Sequence, residues 1–191
     1  MSEPAPKAVA IGASAGAVEA LSAILPRLPT DFGLPVIVVV HIPPDKKSLM
    51  AEVFRMKCEV DVREAEDKEP LVGGVVYFAP PDYHLLIEPD GAASLSNDEP
   101  VLFSRPSIDV MFESAADAYG PNLIAIVLTG ANQDGAKGLR AVAEAGGTAI
   151  VQTPQSAFAP MMPQSALAEV PGALVLSLNE IALYLRGADK R

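Results

Sequence analysis

The chain has 191 residues, half of them hydrophobic, and a formal net charge of −10 at pH 7. That length suits one domain burying roughly 70% of its chain surface, while the acidic balance, with no basic stripe to meet phosphates, argues against a nucleic-acid partner. A lone Cys58 leaves no internal disulfide and fits a reducing cytoplasm, and no apolar run nears the ~20 residues of a membrane span.

Residues 1–6 form a polar, proline-containing tail. Ala8 to Ile11 reads as a short buried strand, followed by Gly12-Ala13-Ser14-Ala15-Gly16 and then a helix from about Gly16 to Leu25. Val18, Leu21, Ile24 and Leu25 share one face of that helix, and Pro26 and Pro29 end it. Val36 to Val40 is an unbroken β-branched run, the pattern of a strand covered on both faces in a parallel sheet. The chain thus opens as a βαβ unit.

His41 leaves the second strand, and a helix is expected from about Lys47 to Met56. Cys58 to Glu64 alternates apolar and charged residues, a strand with one wet face, and Val75 to Ala79 is another strand. His84 to Glu88 and Ala92 to Ser96 flank Pro89-Asp90-Gly91 as a hairpin, so the middle of the chain reads as antiparallel and exposed. A helix runs from Pro106 to Tyr119, and a buried strand from Leu123 to Leu128 ends in Thr129-Gly130-Ala131-Asn132-Gln133-Asp134-Gly135. Further on come a helix from Gly135 to Ala145 closed by Gly146-Gly147, a strand Thr148–Gln152 and a short helix Pro163–Glu169. The strand Ala173–Leu176 comes last before a capping box, Ser177 to Glu180, that opens a helix to about Arg186. The alternation predicts an α/β fold, mostly parallel, with an inserted antiparallel hairpin. One domain is expected over residues 7–187, with a tail at 188–191.

Three strands deliver chemistry at their carboxyl ends, where α/β sheets form their sites: Ser14, His41 and, a few residues on, Asp134. Serine attacks a carbonyl, histidine takes its proton and aspartate fixes the histidine tautomer, which is the set that acyl transfer needs. Other readings stay open. A glycine-flanked serine before a helix also suits a phosphate. His41 could be structural, and Asp134 could cap the helix at Gly135. A dinucleotide site is disfavoured, because the second strand ends in His rather than an acid and the first loop lacks Gly-x-Gly-x-x-Gly. His84 lies in the exposed-looking hairpin and is not the expected base, although it could border a substrate groove. Two histidines and one cysteine, none at ligand spacing, point away from a metal; an all-carboxylate Mg²⁺ or Ca²⁺ site stays open, though no Asp-rich loop announces one, and no cofactor is expected.

Six segments, IGASAGA (11–17), VVVHIPP (38–44), VYFAPPDYHLLIE (76–88), FSRPSIDVMFESAA (103–116), LTGANQDGAKGLRAVAEAGGTAIVQ (128–152) and MPQSAL (162–167), follow one another along the chain. In these segments and their order the sequence resembles the catalytic domain of the CheB protein-glutamate methylesterases of bacterial chemotaxis. It implies Ser14 as nucleophile, His41 as base and Asp134 as orienting acid. It also implies a Rossmann-like three-layer α/β/α fold with a mostly parallel sheet. The expected reaction is hydrolysis of glutamate γ-methyl esters on cytoplasmic helices of methylated chemoreceptors, releasing methanol, with glutamine deamidation in some members. The expected setting is cytoplasmic, with no membrane insertion.

The family usually reads Ser-Thr-Gly-Gly where this chain has Ser14-Ala15-Gly16-Ala17. It usually reads Thr-Gly-Met-Gly where this chain has Thr129-Gly130-Ala131-Asn132. Backbone N–H groups at Ala15 and Ala131 remain candidate oxyanion donors, since such donors need no side chain. An inactive receptor-binding scaffold is the alternative that these changes motivate. Seven residues precede the first strand, so no receiver domain is expected in this chain; either control falls to a separate regulatory protein, or activity is ungated, or the chain is an excerpt.

Overall fold

The structure is a computed structural model that describes residues 7–42 and 48–188. The expected tail at 1–6 and the expected helix start at Lys47 lie outside those residues. Ala188, assigned to the other tail, instead closes the last helix, and the rest of that tail lies outside.

The opening unit is β1 (Ala8–Ala13), α1 (Ala17–Ile24) and β2 (Val36–Val40). Next come α2 (Met50–Arg55), β3 (Asp61–Glu64), β4 (Val75–Phe78), β5 (His84–Ile87) and β6 (Ala93–Ser96). The second half holds α3 (Ile108–Tyr119), β7 (Leu123–Val127), α4 (Ala136–Glu144), β8 (Thr148–Gln152), α5 (Met161–Glu169), β9 (Leu174–Leu176) and α6 (Leu178–Ala188). A seven-stranded sheet runs in the order β3-β4-β2-β1-β7-β8-β9 with every pairing parallel, and β5 and β6 pair antiparallel beside it.

Period-two side-chain alternation divides each central strand between two cores. Val9, Ile11 and Ala13 of β1, with Val36, Val38 and Val40 of β2 and Ile124 and Ile126 of β7, face one core together with α1, α2 and α6. Ala8, Ala10, Ile37, Val39, Leu123, Ala125 and Val127 face the other, under α3, α4, α5 and the hairpin. Apolar residues at successive positions are the signal for this burial on both faces, and the result is the three-layer α/β/α arrangement.

Three expectations need correction. The strand at 61–64 is shorter than the alternating segment 58–64, and it pairs parallel to β4 at the sheet edge rather than antiparallel. An alternating strand reads the same in either direction, so the pattern could not set the pairing. His84 is buried at 2% exposure, because α3 covers the hairpin. Val18 is exposed, since Ala17, Ala20, Leu21 and Ile24 form the inward stripe of α1.

The strand order places β1 at the reversal point. From it the chain first moves outward through β2 to β3 and β4, then returns on the other side as β7. Crevices in α/β sheets open beside such a reversal, at the carboxyl ends of the strands.

Candidate active site

Ser14 follows the last residue of β1. Its N–H donates to the Thr129 carbonyl (2.9 Å), and its own carbonyl accepts the Ala17 N–H (2.9 Å), closing a tight turn. Gly16 completes that turn at φ 84°, a left-handed conformation that favours glycine, and Phe158 lies over it where a Cβ would clash. Thr129 clasps the turn: its hydroxyl donates to the Ala15 carbonyl (2.8 Å) and accepts the Ala159 N–H (2.9 Å). The Thr129 N–H in turn donates to Oε1 of the buried Gln152 (3.0 Å). Among the described residues the Ser14 hydroxyl has no hydrogen-bond partner, and neither do the backbone N–H groups of Ala15 and Ala131.

His41 begins one residue beyond β2, its N–H donating to the Ala13 carbonyl (3.2 Å). Its Nε2 lies 2.6 Å from Oδ2 of Asp134, with the imidazole 11% exposed and the carboxylate fully buried. The expectation that Asp134 could cap its own helix does not hold. Its carboxylate caps α3 instead, with Oδ2 accepting the Ile108 N–H (2.7 Å) and Oδ1 accepting the Asp109 N–H and the Ser107 hydroxyl (each 2.9 Å). Burial by itself would raise the Asp134 carboxyl. The His41 hydrogen bond, the Asp109 and Ile108 N–H donors and the His41 charge outweigh it, holding the group below the usual carboxylate range.

The cap of α4 comes from α3. Asp109 Oδ1 accepts the N–H groups of Gly135 (3.0 Å) and Gly138 (2.7 Å). Burial and the nearby Asp134 and Glu113 charges push Asp109 up to about 6, against the lowering pull of those two N–H donors. The two acids therefore cap each other's helices. Ile108, the first residue of α3, sits against Gly12 and Gly135, and a Cβ on Gly12 would lie 2.3 Å from its Cγ2. Glycine at these positions lets α3 approach the end of β1 and aim its free N–H groups at Asp134.

Ser14, His41 and Asn132 line a cleft of about 440 Å³ whose wall also includes Asp82, Phe103 and Arg105. Arg105 braces that wall through Nη2 and Nε to Asp82 (2.6 and 3.1 Å) and through Nη1 to the Asn97 and Asp98 carbonyls (3.0 Å each). A second cleft, of about 460 Å³, shares Ser14 and His41 and extends past Met50 to Phe158. His84 is absent from both and plays a structural part. Its Nδ1 accepts the Ser107 N–H (3.1 Å), and its Nε2 bonds the Glu99 carbonyl (3.0 Å).

The structure thus joins His41 to Asp134 and places Ser14 and His41 in the lining of the same cleft. Sequence reasoning missed Thr129, Ser107, Asp109 and the bridging part of Asn132. Ser107 had a legible signal, a serine just before an amphipathic run. Thr129 had none, because its partner Ala15 is 114 residues away.

The family model described as CheB methylesterase matches residues 9–185. A Leptospira interrogans protein provisionally named protein-glutamate methylesterase/protein-glutamine glutaminase is 48% identical over 181 residues, 94% of each chain. A Myxococcus xanthus protein-glutamate methylesterase/protein-glutamine glutaminase is 39% identical, covering 96% of this chain and 52% of its own. Several of the matched relatives are likewise spanned over only about half their length. Among solved structures, the CheB methylesterase catalytic domain of Thermotoga maritima superposes with a TM-score of 0.90 at 34% identity, covering 96% of this chain and 99% of that one.

Proposed function

The chain belongs to the CheB methylesterase family, and from that premise we propose that it is a serine hydrolase acting on glutamate γ-methyl esters of chemoreceptors. The observation that carries the reading is the 2.6 Å His41–Asp134 pair set beside Ser14 in a single cleft. Asp134 binds Nε2, so the remaining nitrogen, Nδ1, is the one that takes the Ser14 proton. Ser14 Oγ attacks the ester carbonyl, and the oxyanion is held by the N–H groups of Ala15 and Ala131, which have no partner among the described residues. Collapse of the tetrahedral adduct breaks the C–OCH₃ bond, and His41 returns the proton so that methanol departs. Water, activated by the same nitrogen, then frees the receptor glutamate and restores Ser14.

The same cycle with ammonia as leaving group would deamidate a receptor glutamine, in keeping with the second half of the relatives' names. A cytoplasmic setting and gating by a separate regulatory protein belong to this reading. The test is methanol release from methylated receptor. Ser14→Ala should lower it by about 10³-fold or more while the fold persists. Release at the wild-type rate would refute the assignment.

A further inference from the structure

Asn132 stands where the resembled family usually has glycine, and its side chain touches both the base and the acid. Its Oδ1 accepts the Asp134 N–H (3.0 Å), and its Nδ2 lies 3.3 Å from His41 Nδ1. A backbone N–H can only donate, so the atom facing it must be the amide oxygen. The amide nitrogen is thereby turned to His41, and it too can only donate. Nδ1 must then present its lone pair, and the ring hydrogen must sit on Nε2. The other side of the ring agrees: every further partner of the Asp134 carboxylate is a donor, so Nε2 meets it as one more.

We infer that Asn132 is a positioning residue that reinforces the tautomer set by Asp134, with Nδ1 bare, and holds that nitrogen in place until the Ser14 hydroxyl reaches it. The inference rests on the proposed function for its consequence in turnover, though not for the tautomer itself. On attack the proton passes from Ser14 Oγ to His41 Nδ1. Asn132 cannot accept it, so the protonated ring loses that bond and gains by handing the proton on to the departing methoxide oxygen. Asn132 thus favours the neutral base at the start of each half-reaction.

The test combines ¹⁵N spectra of the histidine rings with rates of methanol release. The chain has two histidines, so one spectrum of His41→Gln completes the assignment. In the wild-type protein, His41 Nδ1 should resonate as a bare ring nitrogen and Nε2 as a protonated one. Asn132→Ala should leave Nε2 protonated against Asp134 but free Nδ1 from its second anchor, and lower kcat by about 2- to 10-fold, the worth of one hydrogen bond, with KM unchanged. Asn132→Asp keeps the shape and the acceptor for the Asp134 N–H but replaces the donor by an acceptor. It should draw a proton onto Nδ1 and lower kcat by roughly 100-fold, more than Ala does. A merely structural role would reverse that order. A protonated Nδ1 in the wild-type spectrum, or an Asn132→Asp enzyme as fast as wild type, would overturn the inference. The wild-type spectrum can overturn the inference even if a variant fails to fold, and the two variants carry the support for Asn132, because Asp134 alone gives the same tautomer. Full activity in Ser14→Ala would remove the nucleophile assignment while leaving the spectrum to report on Asn132.

Discussion

Asp134 accepts four hydrogen bonds, two on each oxygen, and every partner is a donor. An asparagine there must turn its NH₂ toward two donors whichever way it is placed. Asp134→Asn is therefore expected to lower kcat by about 10³- to 10⁴-fold through the lost tautomer. It should also destabilise the fold by about 1–3 kcal/mol, through donors left without acceptors; methanol-release kinetics and thermal melts read the two effects. The neighbouring acid behaves in the opposite sense. Asp134 lies below the usual range, so its stabilisation is present above the ordinary carboxylate pKa and is lost only as pH falls below it. Asp109 is raised to about 6, so the fold prefers it protonated. Its favourable contribution is complete below the ordinary value of 3.8 and is lost as pH rises through about 6. Asp109→Asn keeps an oxygen for Gly135 and Gly138 and removes the charge opposing Asp134. Its melting temperature at pH 7 should equal or exceed wild type, and the part of the pH dependence between 4 and 7 that Asp109 supplies should vanish. A variant markedly less stable at pH 7 would contradict this.

The elements meet at the starts of α3 and α4, and their crossed caps make the site a product of helix packing as much as of loop sequence. The packing depends on a close approach at Gly12. Gly12→Ala puts a methyl into Ile108 and should cost about 1–3 kcal/mol by overpacking. Because Ile108 carries one of the Asp134 donors, kcat should fall with stability; a variant with wild-type melting and rate would show that the contact yields easily. Ser107→Ala removes both the α3 cap and a donor to Asp134, and a loss of about 0.5–2 kcal/mol is expected in denaturant titrations. Elements with strong periodicity are legible in the amino-acid order itself. The Val36–Val40 run reads as a strand covered on both faces, and Ser177 with Glu180 announces the final helix, where the two side chains do bond at 2.7 Å. The crossed caps are not legible there. They join residues more than 20 positions apart, and Asp109 looks like an ordinary first-turn acid of its own helix. His84 misleads for a related reason: a hairpin beside a turn reads as wet, and only α3 lying across it buries the ring.

At the scale of the molecule, the parallel sheet gathers residues 14, 41 and 134 at one edge because β2, β1 and β7 are adjacent and point the same way. That much could be foreseen from strands ending in Ser, His and an Asp-bearing loop. The changes at Ala15, Ala17, Ala131 and Asn132 raised the prospect of an inactive scaffold, yet the fold leaves the backbone N–H groups of Ala15 and Ala131 free among the described residues and gives Asn132 a place between His41 and Asp134. No observation favours the scaffold. The central claim is that Ser14 is a nucleophile activated by His41. The most direct measurement is labelling with a serine-reactive phosphonate, followed by mapping of the adduct and comparison with His41→Ala. One adduct is expected, on Ser14, with its near-complete loss in the His41→Ala protein; an adduct at another serine, or undiminished labelling without His41, would contradict the activated nucleophile.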